Sequence, residues 1–136
     1  MSSILSIAAS GLAAAVQRLQ VSANNVANAE SDGPTTSAST AVHAEYQPAY
    51  VAQQVNQVAT PDGGTSAVVS NAQPGTVTAY DPTAPYADPN GNVSAPNVDI
   101  ATELIQQALA SYAFAANAAV INVEQQTTQA LLNIQT

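Results

Sequence analysis

The apolar residues of this chain concentrate near its two ends, where they recur every three or four positions. In the N-terminal stripe, from Ile4 to Val26, two interleaved sets of residues each repeat every seven positions. They are Leu5, Leu12, Leu19 and Val26, with Ala9, Val16 and Ala23 between them. This spacing predicts a helix with a coiled-coil-like seam in which small residues form alternate layers. We expect the helix to end between Asn28 and Ser31, just before a Gly-Pro pair.

A second stripe runs from Ile100 to Ile134, a span that contains neither glycine nor proline. Its positions recur at three- and four-residue steps and predict one continuous helix. They are Ile105, Leu109, Tyr112, Ala116, Val120, Val123, Thr127, Ala130 and Ile134. Residues Asn97 to Asp99 precede the stripe and can cap the helix. Two long helices joined by a compact insert favour an antiparallel pair with the two termini together.

Residues 34 to 98 have a different composition, because they contain all 8 prolines of the chain. Proline removes a backbone donor and clashes with the preceding helical turn, so helix is disfavoured here. The residue pattern instead predicts three short strands, at Tyr50–Val58, Ala67–Val69 and Thr76–Tyr80. Turns are expected at Pro61–Gly64 and, in type I′ geometry, at Asn90-Gly91.

These elements predict a mainly α fold with a small β insert, in which the terminal helices pack as an antiparallel coiled-coil-like pair. We divide the chain into an N-terminal assembly helix (1–30), an irregular or β-hairpin middle region with a proline-rich linker (31–98) and a C-terminal assembly helix (99–136). Much of the apolar content is alanine, which buries little area, so the core of an isolated chain should be thin. Contacts with other chains could supply the missing burial.

The charge of the chain narrows its possible partners. The formal net charge is −8, and Arg18 is the only Lys or Arg. This balance argues against nucleic acid, which needs clustered cations, and against an anionic membrane surface. An antiparallel pairing could bring Arg18 near Glu124, although an exposed ion pair of this kind contributes only about 0–1 kcal/mol. The absence of cysteine excludes disulfides and thiolate chemistry.

The start of the chain also raises the question of membrane targeting. The apolar run from Ile4 to Val16 is shorter than the roughly 20 residues that a bilayer span needs, so we expect no direct membrane insertion. A cleaved signal peptide is the alternative. The positively charged segment that opens such a peptide is missing from Met1 to Ser3, and the apolar stripe continues past the candidate cleavage site at Ala13–Ala15. We therefore expect no cleaved signal peptide.

Candidate catalytic and metal-binding residues are sparse, and we predict neither catalysis nor a cofactor. His43 is the only histidine and has no nucleophile motif or second ligand near it. Carboxylates at Glu30, Asp32 and Glu45 could in principle form an acid–base pair, but no apolar pocket is indicated that would raise an acid's pKa. A calcium-loop spacing is also incomplete, since Val93 replaces its required glycine. Its candidate ligands are Asp88, Asn90, Asn92 and Asp99.

Three segments carry a resemblance to a known family. Residues 22–29, Ser-Ala-Asn-Asn-Val-Ala-Asn-Ala, resemble the N-terminal signature of bacterial flagellar basal-body rod and hook proteins. The proline-rich stretch Tyr80–Asp99, which ends in Pro-Asn-Val-Asp, is similar to the linker of the proximal-rod proteins. Ser111–Asn117 resembles the Tyr-x-x-Asn region of their C-terminal helix. The middle of the chain, roughly residues 35–78, resembles the family only weakly.

The resemblance implies a structural rod subunit that assembles with copies of itself and with other rod proteins in the periplasm. It also implies export through the flagellar type III apparatus without a cleaved signal. Asn24, Asn25 and Asn28 would then hydrogen-bond across subunits, whereas helix-end propensity alone would explain them as a fraying terminus. The predicted subunit-interface residues are Leu5, Leu12, Val16, Leu19, Asn24, Asn25, Asn28, Ile105, Leu109, Tyr112, Ala116, Asn117, Val120 and Val123.

Two alternatives remain open at this point. One is another short rod component of the same family. The other is a small secreted binding module with a helical stalk. The sequence leaves undecided how much of the Leu5-to-Val26 seam is buried by its own C-terminal helix and how much by another chain.

Overall fold

A computed structural model describes residues 3–38 and 44–134, a range that leaves out His43. Two long helices enclose four short strands in the chain. The helices are α1 (Ser3–Ala27) and α2 (Ile100–Ile134). The strands are β1 (Gln53–Ala59), β2 (Thr65–Asn71), β3 (Thr76–Tyr80) and β4 (Asn92–Pro96). The prediction of a mainly α fold with a small β insert is confirmed, and α1 ends one residue before the predicted interval.

The two helices pack along each other in antiparallel directions. Gly11 lies against Asn117, and the Ser22 hydroxyl donates to the Glu103 backbone carbonyl at 2.8 Å, so residues early in one helix meet residues late in the other. The residues of α1 that are buried or half-buried at this contact follow a 3,4 repeat. They are Ala8, Gly11, Ala15, Arg18, Ser22 and Asn25, which we call the inner row of α1. Its small members allow the helix backbones to approach closely.

The inner row differs from the predicted seam by one residue. Leu12 is only half-buried, and Val16 and Leu19 are each 39% exposed. The corresponding inner row of α2 is displaced by one residue in the other direction, since Ala110 is 1% exposed whereas the predicted Leu109 is 49% exposed. The helix pair is therefore as predicted, but the large aliphatic residues of the predicted seam do not form its internal contact.

Strands β1 and β2 form an antiparallel hairpin that lies along α1. Val55 pairs with Val69, and the turn contains Gly63 and Gly64 at φ +81° and +95°. The hairpin is anchored to α1 where the Thr65 backbone N–H donates to the Ser10 hydroxyl at 3.1 Å. The predicted turn at Pro61–Gly64 is confirmed. Strand β1 begins three residues later and ends one residue later than the predicted span Tyr50–Val58, whereas β2 extends beyond the predicted span Ala67–Val69 at both ends.

Strands β3 and β4 form a second antiparallel pair, in which Tyr80 lies opposite Asn92. Strand β3 has the predicted bounds, whereas β4 was not predicted and lies inside the proline-rich linker. Its Val93 is 1% exposed and is one of the most buried side chains of the molecule. On its other edge β4 bridges to Gly33, and each residue of the Gly33–Ser94 bridge donates to the other at 2.9 Å.

The Asn90-Gly91 turn differs from the expected type I′ geometry. Among the described residues no non-glycine residue has a positive φ, so Asn90 cannot adopt the conformation that type I′ requires at its first central position. The Gly91 N–H instead donates to the Asp88 carbonyl at 2.9 Å, and Gly91 itself has φ +79°. This is a type I turn followed by a left-handed glycine, which suits a proline at the second position.

By length and apolar composition alone, both helices could cross a membrane. The qualifying segments are Ile4–Ala27 and Ile100–Ile134, of which 22% and 6% respectively of the most apolar window is buried within the chain. The first extends well beyond the run from Ile4 to Val16 on which the sequence argument against a span depended. Most of each window is therefore exposed in the isolated chain.

The close approach at Gly33 predicts a strong effect of added side-chain volume. A Cβ at this position would lie 2.6 Å from the Gln47 carbonyl oxygen and would also overlap the Ala49 backbone nitrogen. Because the obstructing atoms are backbone, G33A should destabilise the chain by about 1–3 kcal/mol in chemical denaturation. G11A is the comparison, since there the three atoms nearest to the added methyl all belong to the movable Asn117 amide. Equal stability of G33A and the wild type would contradict the packing at this bridge.

Candidate assembly surface

Large apolar side chains lie on the outside of the helix pair. Along the described length of α2, Ala110 is the one residue that is fully buried. The predicted interface residues of this helix are mostly exposed, at 60% for Ile105, 75% for Tyr112 and 60% for Val123. Monomeric proteins seldom expose contiguous apolar surface of this extent unless it binds something. The outer surface of α2 is therefore a candidate for contact with other molecules.

The exposed residues divide between two faces of the helix pair. One face is an open apolar groove on the α1–α2 seam, which we call the seam groove. It is lined by Ala15, Val16, Leu19, Ala110, Ser111 and Phe114. The other face is the flank of α2 nearer to the β1–β2 hairpin, where Leu109 shares a second groove with Gln53 and Val55. The sequence predicted these residues as one set of interface residues, whereas in the fold they lie on two sides of the helix pair.

The three predicted asparagines have different environments. Asn24 is exposed, and Asn28 is half-buried and donates its side-chain N–H to the Asn24 carbonyl at 2.9 Å. Asn25 is only 1% exposed, and its hydrogen bonds lie within its own chain. An intersubunit role for Asn24 and Asn28 stays a prediction, while the Asn25 amide is already occupied by an internal network.

The Asn25 side chain uses all four of its hydrogen-bonding positions. Its amide group donates to the Gln53 carbonyl at 2.7 Å and to Glu103 Oε1 at 2.6 Å. Its carbonyl oxygen accepts from the Tyr50 hydroxyl and from the Gln53 N–H, each at 3.0 Å. Burial raises the pKa of Tyr50, and the Glu103 carboxylate raises it further. This asparagine network joins α1, β1 and α2 at one point.

Asp99 caps the start of α2, as the sequence predicted. Its carboxylate accepts from the Thr102 hydroxyl at 2.8 Å and from the Ala101 N–H at 3.0 Å. These bonds, first that of the Thr102 hydroxyl, lower the pKa of Asp99 below its usual range. The cap also explains why Asp99 is not grouped with the other residues of the calcium-loop spacing.

Asp88 organises the loop before β4 through its own chain. Its Oδ1 accepts from the N–H groups of Asn90 at 2.8 Å and Asn92 at 2.9 Å, and its Oδ2 accepts from the Ser37 hydroxyl at 2.9 Å. The pKa of Asp88 is lowered, chiefly by the Asn92 N–H, although burial opposes the shift. Within residues 3–38 and 44–134, no group of three or more His, Cys, Asp or Glu side chains could hold a metal ion.

The candidate carboxylates for catalysis include one with an altered pKa. Burial raises the pKa of Asp32, and the negative charges of Asp81 and Glu30 raise it further. None of these causes is the apolar pocket whose absence the sequence led us to expect, and that expectation stays a prediction. The neighbours that raise it are carboxylates, which crowd one end of the molecule beside the Gly33 bridge.

Arg18 does not lie near Glu124, so the ion pair considered from the sequence is wrong. Arg18 lies beside Glu103 and Gln106, in the groove on the hairpin side of the pair. Glu124 lies near Leu5, toward the other end of α1. The antiparallel register places α2 residues near 109 opposite Arg18, about 22 Å along the helix from residue 124 at 1.5 Å per residue.

Comparison with known proteins assigns both ends of the chain to one class. Residues 5–35 match the family model of flagella basal body rod proteins. Residues 90–134 match the model of the C-terminal region of the flagellar basal body rod FlgEFG proteins. The first match covers most of α1 and the Gly33 bridge, and the second covers β4 and α2. The helix pair thus corresponds to the terminal regions of flagellar rod proteins.

Individual relatives narrow this class. The flagellar basal-body rod protein FlgC of Salmonella typhimurium is 39% identical over 125 residues, which cover 88% of this chain and 86% of that protein. FlgC of Yersinia enterocolitica is 38% identical over 136 residues, which cover 95% and 90% of the two chains. The chain belongs to the FlgC family of flagellar basal-body rod proteins.

Asn25 provides a stability test of the network that the sequence did not reveal. Replacing it with alanine leaves buried groups of Gln53 and Tyr50 without partners, and each such group costs about 1–3 kcal/mol. N25A should therefore unfold at markedly lower denaturant concentration than the wild type. N24A is the matched control, because the neighbouring asparagine is exposed and should tolerate the change. Similar unfolding midpoints for N25A and N24A would contradict the network.

Asp88 predicts a pH-dependent contribution to stability. Its folded-state pKa lies below the ordinary value of 3.8, so its ionised form stabilises the fold above that pH. The contribution is lost as pH falls through the folded-state pKa. D88N should thus melt at a lower temperature than the wild type at pH 7, and the difference should narrow below about pH 4. D62N, at the exposed hairpin turn, controls for charge removal, and a D88N difference that persisted unchanged at pH 2 would contradict the assignment.

Proposed function

We propose that this chain is a structural subunit of the proximal part of the flagellar basal-body rod. In this role it assembles with copies of itself and with other rod proteins into the axial shaft that transmits torque. The observation that carries the proposal is the exposure of α2, whose large apolar residues lie outside a helix pair that is closed internally by small ones. FlgC relatives along nearly the whole chain support this rod component over other short ones.

Neighbouring rod subunits are proposed to cover the two exposed apolar faces. In the seam groove, Val16, Leu19 and Phe114 would contact one neighbour. On the outer surface of α2, Ile105 and Tyr112 would contact another. Burial of apolar area stabilises association at about 25 cal/mol per Å². An isolated chain lacks this contribution, because its internal helix contact is made mainly by alanine, glycine and serine and its large apolar residues stay exposed.

Protein rather than lipid is proposed as the partner of these helices. Arg18 lies near the middle of the apolar part of α1, and α2 carries Glu103 and Glu124. A charged residue at the centre of a membrane-spanning helix costs about 2.5–3.5 kcal/mol even on the lower scales. The inner rows also contain polar Ser22 and Asn25, which are satisfied by contacts inside the protein. Direct membrane insertion is therefore not part of the proposed role.

The proposed role is one without catalysis or a cofactor. The relatives are rod proteins by name, and the one carboxylate with a raised pKa, Asp32, lies among other acids. The proposal includes a location in the periplasmic section of the basal body, reached through the flagellar type III export apparatus. Membership of the rod family supports these parts of the proposal.

A double substitution in the seam groove tests the assembly role. L19D with F114D places two carboxylates on exposed positions, at 39% and 46% exposure, so the chain should still fold. Each buried carboxylate would cost several kcal/mol at a subunit contact. The variant should therefore be absent from purified basal bodies of a strain in which it replaces the native gene, and that strain should not swim.

V58D serves as the control, since Val58 is 55% exposed on the β1–β2 hairpin and outside both proposed faces. Circular dichroism of the purified monomers must show the same helix content and melting temperature for all variants. Normal recovery of the L19D/F114D chain in basal bodies, with normal motility, would rule out the seam groove as an assembly surface. Absence of the wild-type chain from basal bodies would refute the rod assignment itself.

A further inference from the structure

Arg18 occupies an unusual position for the only side-chain cation of the protein. It belongs to the inner row of α1, where the residues one turn away on either side are Ala15 and Ser22, both nearly fully buried. Arg18 itself is half-buried. It lines a groove of about 610 Å³ on the hairpin side of the helix pair. This space is large enough to admit side chains from another molecule.

The walls of this groove, which we call the Arg18 groove, are mostly uncharged. They include the amides of Gln53, Gln54 and Gln106. Among residues 3–38 and 44–134, no carboxylate forms an ion pair with the guanidinium. A partly desolvated guanidinium has five N–H donors in a planar fork, and its favoured partner is a carboxylate bound through both oxygens. The chain itself does not provide that partner.

Glu103 is the carboxylate on the groove wall, and it is held by another residue. Its Oε1 accepts from the buried Asn25 amide at 2.6 Å, which fixes it in the asparagine network. Its backbone carbonyl accepts from the Ser22 hydroxyl at 2.8 Å. Glu103 is thus engaged by Asn25, and it forms no ion pair with the guanidinium in the described part of the chain.

The net charge of the chain indicates why this opening matters. Each copy carries −8, with 9 acidic residues and one basic one. Electrostatic repulsion opposes the side-by-side packing of such copies. Arg18 is the one Lys or Arg side chain that can attract a carboxylate of another copy. We propose that Arg18 is an intersubunit anchor that binds a carboxylate of a neighbouring copy in the Arg18 groove. The inference rests on the proposed function, because it names the partner of a subunit that assembles.

Substitution of Arg18 tests the anchor through assembly and folding measured separately. R18Q should leave the melting temperature of the monomer unchanged, since no internal ion pair is lost. It should lower incorporation into purified basal bodies about tenfold or more, as expected for removal of one member of a desolvated charge pair. R18K should recover part of the incorporation, because lysine keeps the charge but not the planar fork.

Q57E is the matched control for net charge. Like R18Q it changes the formal charge from −8 to −9, but it does so on an exposed position of β1. It should incorporate at the wild-type level. Wild-type incorporation of R18Q would overturn the proposal. An equal loss of folding and incorporation in R18Q would also overturn it, since Arg18 would then have only a structural role.

Mixed expression identifies the partner as a second copy. Charge reversal by R18E should block incorporation when that chain is the only copy. A second plasmid then supplies a copy with one carboxylate replaced by lysine, chosen from those that accept no hydrogen bond within residues 3–38 and 44–134. They are Glu30, Asp32, Glu45, Asp62 and Glu124. One of these copies should restore incorporation of the R18E chain about tenfold or more.

Failure of all five lysine copies would overturn a second copy as the partner. Rescue of R18E by a charge reversal in a different rod protein would do the same. These outcomes differ from failure of the rod assignment, in which the wild-type chain would itself be missing from the basal body. The chain has no cysteine, so a rescued pair can be checked by a disulfide between cysteines placed at the two positions.

Discussion

The size of the side chains between the two helices is the constraint on which the rest of the structure depends. Ala8, Gly11 and Ala15 of α1 allow the helix backbones to approach closely, and Ala110 of α2 lies near Ala15. Small residues make a close contact but bury little apolar area, so this contact alone stabilises the pair weakly. The asparagine network and the Gly33 bridge supply directional contacts in its place, and the large apolar residues remain outside for other molecules.

The sequence predicted both helices, because a sustained 3,4 repeat admits few other structures. It predicted their antiparallel pairing because a compact insert joins them. It did not predict which row of each helix faces inward. Alanine-rich helices contain several adjacent rows of apolar or small residues, and the row with Leu12 and Leu19 is the most hydrophobic. Close packing favoured the neighbouring row with Gly11 and Ala15 instead. The most hydrophobic row thus lies on the outer side of the helix pair, and the row of small residues forms its internal contact.

Residues distant along the chain explain the other differences between prediction and structure. The burial of Asn25 depends on Tyr50, Gln53 and Glu103, and no local pattern links these four positions. Strand β4 was missed because its residues carry weak strand propensity and its edge partner, Gly33, lies far away in sequence. Strand β3 was predicted with its observed bounds, since its β-branched and aromatic residues occur together. Contact between remote segments is what a single sequence leaves undetermined.

The close fit of Gly11 against Asn117 has a consequence for the dimensions of an assembly. In the isolated chain, a methyl group added at this contact would be accommodated by movement of the Asn117 amide. In the proposed rod, the helix pair repeats in every copy, so any change in the distance between the two helices would repeat with it. Gly11 therefore links the packing inside one copy to the spacing between copies of the proposed rod.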